Sequence, residues 1–214
     1  MELFRVESLE EASKIVQSLV APQERERTVI FFDVDKTLVD TVEGKAIPVT
    51  PRLKEVVTSL APLGRLALLT HRSAYVRDGV VAETIGFFEE HGITHFSCEE
   101  ANIKRVVPFD RSGRDSLQLG DELEGRFAHE LVDDVEIALS PTFVFTSSVS
   151  KGCVLRYLYN QSTGPLHMVK LHTVVVLDDG ESNLRSIKLL LQEFPLRLVL
   201  LHIARADLGS DEKD

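Results

Sequence analysis

Residues 30–41, IFFDVDKTLVDT, constrain this chain more than any other stretch. Val29, Ile30, Phe31 and Phe32 make an apolar run rich in β-branched and aromatic residues, and it stops at two carboxylates, Asp33 and Asp35. Such a run reads as a strand buried on both faces, as in a parallel sheet. Asp33 then stands at the strand's carboxyl end, where open α/β sheets hold their ligands. Two acids two positions apart point the same way along a strand and repel unless a cation lies between them. A turn would also accept aspartates. It does not explain a charge directly behind an apolar run, where an unpaired carboxylate is costly.

A length of 214 residues with 43% hydrophobic content suffices for one sizeable core carrying a small insertion. The formal net charge of -10 argues against nucleic acid or an anionic membrane as a general partner, while leaving room for a local cationic pocket. Cys98 and Cys153 are too few for a disulfide framework and lack metal-ligand spacing. The start, MELFRVESLEE, holds no apolar stretch of signal-peptide length, and no run approaches a membrane span. A soluble cytoplasmic chain is the expectation.

Ser8 and Glu11 form an S-x-x-E capping box for a helix over 8–21 with Leu9, Ala12, Ile15, Val16 and Leu19 on one face, stopped by Pro22. After the polar QERER linker and the first strand, residues 40–49 carry Gly44 and Pro48 and read as a hairpin or flap. Thr50-Pro51 opens a helix with Leu53, Val56, Val57 and Leu60 inward. A second strand, Arg65 to Thr70, runs into His71 and Arg72. Ser73 then caps a helix carrying Tyr75, Val76, Val80, Ile85 and Phe88.

Over 93–140 the pattern weakens. RVVPFDRSGRD reads as a turn and FAHELVDDVEIAL as an amphipathic helix, so this stretch is expected to be an insertion with secondary structure of its own. Regular patterning resumes with a third strand over 142–146, a helix capped by Ser150 and opening on Lys151, and a fourth strand, HTVVVL, ending on Asp178 and Asp179. A helix with Leu184, Ile187 and Leu191 inward, a fifth strand over 196–203 and an acidic tail at 205–214 complete the chain. Alternating strands and helices imply a parallel, doubly wound sheet with right-handed crossovers.

Each polar residue at these strand and helix ends has a plain explanation alone: a strand-end hydroxyl, a solvated lysine, acids satisfying helix amides. Their order is informative. Asp33 and Asp35 after the first strand, Thr70 after the second, Lys151 opening a helix, and Asp178, Asp179 and Asn183 after the fourth strand resemble the haloacid dehalogenase-like (HAD) superfamily. The resemblance covers about residues 25–203 and is similar to a bacterial branch of HAD-like phosphatases. Its first motif, DxDx(T/V), is matched by Asp33, Asp35 and Thr37, and its DDxxxN motif by Asp178, Asp179 and Asn183.

The resemblance implies a five-stranded Rossmann-like core in the order five-four-one-two-three, which brings the two acidic pairs together. It implies a magnesium-dependent phosphomonoester hydrolase that forms an aspartyl-phosphate. Asp33 would be the nucleophile and Asp35 the general acid and base. Thr70, His71, Arg72 and Lys151 would bind the substrate phosphate. Asp33, the Asp35 backbone carbonyl, and Asp179 with Asp178 behind it would hold Mg2+. The partner would be a phosphorylated small molecule or phosphoprotein. Residues 38–50 are too short for a folded cap, so any lid must come from 93–140. A phosphomutase and an idle binding module on the same fold are alternatives. A signalling receiver domain is disfavoured, because here acids follow the lysine.

Overall fold

The computed structural model describes residues 2–73, 79–97, 104–109, 135–168 and 170–205. In chain order the elements are β1 (Glu2–Val6), α1 (Leu9–Leu19), a 3-10 helix (Pro22–Arg27), β2 (Thr28–Phe32), β3 (Val39–Val42), β4 (Lys45–Pro48), α2 (Leu53–Leu60) and β5 (Arg65–Thr70). There follow α3 (Val80–Glu90), β6 (Lys104–Phe109), β7 (Val135–Ser140), β8 (Phe143–Phe145), α4 (Lys151–Gln161), a 3-10 turn (Gly164–Leu166), β9 (Thr173–Asp178), α5 (Glu181–Leu191) and β10 (Arg197–Ile203).

Eight strands form the main sheet in the order β1-β10-β9-β2-β5-β8-β7-β6. Every pairing from β1 to β8 is parallel, and β7 and β6 close one side antiparallel. The five strands expected from the sequence are β2, β5, β8, β9 and β10, and they are contiguous. The sheet is wider than five. β1 pairs with β10 along Glu2–Val6, a segment whose charges and exposed Leu3 hide its strand character.

Two further expectations need correction. Lys104–Phe109, of which 105–109 read as part of a turn, is a strand, and Val135–Ser140, of which 135–139 read as the end of a helix, is its partner. V-E-I-A-L satisfies an alternating pattern as well as a helical one, and pairing with β8 decides between them. Residues 98–103 and 110–134 of the expected insertion, the Tyr75–Val76 start of the expected third helix, and the tail beyond 205 lie outside the described residues.

Side chains alternate across the central strands, so two separate cores follow from one sequence run. Ile30, Phe32, Leu66, Leu68, Val175 and Leu177 pack beneath α1, α2 and α3. Val29, Phe31, Ala67, Leu69, Val174 and Val176 pack beneath α4 and α5. These strands are buried on both faces, which is why they read as continuous apolar runs.

Local signals are realised with small shifts. Ser8 Oγ accepts from the Glu11 amide at 3.1 Å, but Glu11 returns its bond to the Glu7 amide at 2.9 Å rather than to Ser8. Helix α2 begins at Leu53, two residues after Pro51. The expected flap is the β3–β4 hairpin, whose turn residues Glu43 and Gly44 both have positive φ, 51° and 76°, as a tight two-residue hairpin turn requires. Arg205 Nη1 holds Asp40 at 2.8 Å, anchoring the flap beside the carboxyl ends of the strands. Among the described residues no helix is long and apolar enough to cross a membrane.

Candidate functional site

Register places the first acids. Phe32 pairs with Leu177, and the Asp33 amide donates to the Leu177 carbonyl at 2.9 Å, so Asp33 and Asp178 emerge from adjacent strands at one level. By the alternation that carries Val29 and Phe31 toward α4 and α5, Asp33 faces the same side. Val174, Val176 and then Asp178 do likewise. Both carboxylates therefore meet the amino end of α4, and Lys151 is its first residue.

Lys151 Nζ donates to Asp33 Oδ1 and to Asp178 Oδ2, each at 2.6 Å. The lysine is 1% exposed and Asp178 is fully buried. Desolvation pushes the Lys151 pKa down, but Asp178 first and Asp33 second pull it up by more, so the ammonium is held above its ordinary value. Burial pushes Asp33 up to about 7, against the pull of Lys151 and with Asp178 adding to the rise. One buried cation thus faces more negative charge than it neutralises.

Asp178 is held by three donors. Oδ2 is taken by Lys151, and Oδ1 accepts from the Gly180 amide at 2.8 Å and from Asn183 Nδ2 at 3.0 Å. Asn183, which alone could pass as a helix-surface residue, therefore orients the acid. Asp179 is less enclosed. Its pKa is raised by burial and by Asp178, while Lys36 and Lys151 pull it back. The Asp179 backbone carbonyl lies 3.0 Å from His202 Nε2 on β10. Asp33, Asp178 and Asp179 each present an oxygen within 4.8 Å of the other two. Three hard oxygens with a deficit of positive charge make a set that could bind a metal ion.

Thr70, on the opposite parity to Leu69, is fully buried, and its Oγ1 accepts from the Arg72 amide at 3.2 Å. The Thr146, Ser147 and Ser148 amides donate to the Thr70, Arg72 and His71 carbonyls, pinning the segment after β5 against the segment after β8. His71 keeps an exposed edge. Desolvation first and the Lys151 charge second push its imidazole down to about 4, so it is neutral at neutral pH. Arg72 grips Asp35 with a two-toothed fork, Nε to Oδ2 at 3.0 Å and Nη2 to Oδ1 at 2.6 Å. The Asp35 side chain is 55% exposed and stands outside the three-carboxylate cluster. Thr37 is buried at the turn, and its hydroxyl has no partner among the described residues.

The structure thus gathers Asp33, Lys151, Asp178 and Asp179 in one cluster, joins Asp35 to Arg72, and leaves Thr70 at the end of β5, the strand next to β2. Three contributors were not singled out from sequence. Thr84 on α3 accepts from Arg72 Nη1 at 2.8 Å but reads as one more inward residue of an apolar helix. His202 sits within an ordinary strand pattern. Gly152 lets α4 approach α5 so closely that an added Cβ would lie 2.5 Å from the Ser186 carbonyl oxygen. The Ser150 hydroxyl, expected to cap α4, instead reaches Ser186 Oγ at 3.3 Å. The glycine directly after Lys151 was the available signal, since a glycine inside a helix marks a close backbone approach, here that of α5.

No family model, curated protein or solved structure matches this chain.

Proposed function

We propose that this chain is a magnesium-dependent phosphomonoester hydrolase of the HAD-like type, acting through an aspartyl-phosphate. The observation that carries the reading is the Lys151 ammonium held between Asp33 and Asp178 at 2.6 Å from each, with Asp179 in ligand reach of both. The contiguous order β10-β9-β2-β5-β8 supports it, because it is the five-four-one-two-three core that the motif order implies. The acids lie outside the carboxyl ends of β2 and β9, adjacent strands from which the chain continues to β5 on one side and to β10 on the other, the usual place for a ligand.

Magnesium, when bound by oxygens of Asp33 and Asp179 and the Asp35 carbonyl, would supply charge neutralisation for a phosphate facing these acids. Lys151 fixes the Asp33 carboxylate with one oxygen engaged. The other oxygen attacks phosphorus as the ester P–O bond breaks. Asp35 gives a proton to the departing alkoxide, then as carboxylate takes one from the water that cleaves the aspartyl-phosphate and frees inorganic phosphate. Thr70, His71 and Arg72 border the phosphate side of the site.

The test is phosphate release from sugar phosphates, nucleotides, phosphopeptides and an aryl phosphate, with magnesium and with chelator. Magnesium-dependent release from at least one class is expected. No release from any of them with the metal present contradicts the reading.

A further inference from the structure

We infer that Thr84 is a positioning residue for Asp35, acting through Arg72; the catalytic part of this inference rests on the hydrolase reading above. Thr84 is 1% exposed on α3, within the core that lies on the far side of the sheet from Lys151. Its hydroxyl donates to the Val80 carbonyl at 2.6 Å. A hydroxyl has one proton, so toward Arg72 Thr84 can only accept, and Arg72 Nη1 donates to it at 2.8 Å. The planar guanidinium is then fixed at one corner. Its remaining edge, Nε and Nη2, is presented to Asp35 as a fork at 3.0 and 2.6 Å.

A half-exposed turn residue is thereby tied to a helix backbone. Asp35 follows β2, is half-exposed, and among the described residues is otherwise held by its backbone bridge to Val39. Without Thr84, a long arginine side chain would keep its charge near Asp35 but lose the plane that fixes the carboxylate. Catalytic groups misplaced by about 1 Å lose on the order of 100-fold in rate, so orientation here counts more than attraction.

The experiment compares Thr84→Val, which keeps shape and removes the acceptor, with Thr84→Ser, which restores it, and with Arg72→Lys. Two readouts are taken: kcat and KM on an aryl phosphate with magnesium, and the Arg72 Nε–Hε resonance in 15N spectra. Thr84→Val should lower kcat roughly tenfold with KM within about twofold, and should shift or broaden the Arg72 resonance. Thr84→Ser should return both to near wild type. In an Arg72→Lys background, Thr84→Val should have little further effect on kcat. Should Thr84→Val not fold, Thr84→Ala is read the same way. A raised KM at constant kcat would mean Arg72 serves the substrate instead, and an unmoved Arg72 resonance would mean there is no relay; either overturns the inference. The resonance needs no turnover, so an inactive wild type with an intact Thr84-dependent signal would defeat the hydrolase reading and the positioning role, while leaving the contact itself established.

Discussion

Lys151 donates to Asp178 Oδ2 at 2.6 Å across a contact in which the lysine is 1% exposed and the aspartate not at all. The same ammonium serves Asp33, so a single side chain is shared by two buried acids. Removing one partner of a buried ion pair typically costs about 3–5 kcal/mol, because the other charge remains uncompensated. Lys151→Met should therefore lose that much stability in metal-free buffer. The loss should be larger at about pH 8 than at about pH 5, where Asp33 can take a proton instead. Urea unfolding at both values decides; a loss below about 1 kcal/mol at both would show that the lysine is not the counter-ion.

Asp33 has the opposite sign of effect. Its carboxyl group titrates at about 7 in the folded chain against 3.8 in an unfolded one. Between those values the folded state binds more protons, so this residue's contribution falls as pH rises through the window and levels off above it. Asp33→Asn in chelator should accordingly gain stability over wild type between about pH 4 and about pH 8, by on the order of a few kcal/mol. Phosphatase activity should vanish in the same variant. Thermal melts showing a constant offset across that range would remove the burial argument, and activity within about threefold of wild type would remove the nucleophile.

The acidic pair after β9 should divide its work. Asp178 is committed to Lys151, Gly180 and Asn183, whereas Asp179 faces the cluster with no such set of donors. Asp179→Asn should weaken Mg2+ binding by about 100-fold or more, and Asp178→Asn by about 10–100-fold, as expected of a group that orients ligands. Asp178→Asn should in turn be the more destabilising in urea. Calorimetric titration of Mg2+ into both variants tests the order, and the larger metal defect at Asp178 would reverse the roles.

Gly152 holds the approach of α4 to α5. An alanine methyl there meets the Ser186 carbonyl oxygen, and a backbone atom cannot swing aside. Gly152→Ala should destabilise by about 1–3 kcal/mol through forced overpacking. Adding Ser186→Ala should bring no relief, since the clash is not with that side chain. Recovery of the melting temperature in the double variant would show that the crowding lies elsewhere.

Much of this site could be read from the chain because each strand announces its own end. TVIFF before Asp33 and TVVVL before Asp178 are runs that only a doubly covered strand tolerates, and the first polar residue after each has one place to go. What joins them was also accessible, as a lysine opening a helix beside glycine. The Arg72–Asp35 fork was not, because it spans 37 positions and depends on β2 and β5 being neighbours, a fact of the sheet rather than of either segment. Thr84 was hidden for another reason. Its hydroxyl lies on the inward face of a helix, where burial and a bond to the preceding turn look like packing alone. The antiparallel β6–β7 pair was missed because short segments with both periods take their conformation from whatever edge is free to receive them.

The pairing of β1 with β10 sets an order on folding as the chain is made. Glu2 and Arg197, which hydrogen-bond across that pair, are separated by 195 positions, so β1 is made long before β10, its partner strand among the described residues. Until then Leu3 and Phe4 have no β10 ladder to join, and a nascent chain carries this strand unpaired until β10 has been made. Loss of β10 would therefore cost the sheet two strands, one from each end of the described chain, and the protein cannot complete that side of its sheet by growing steadily from the N-terminus.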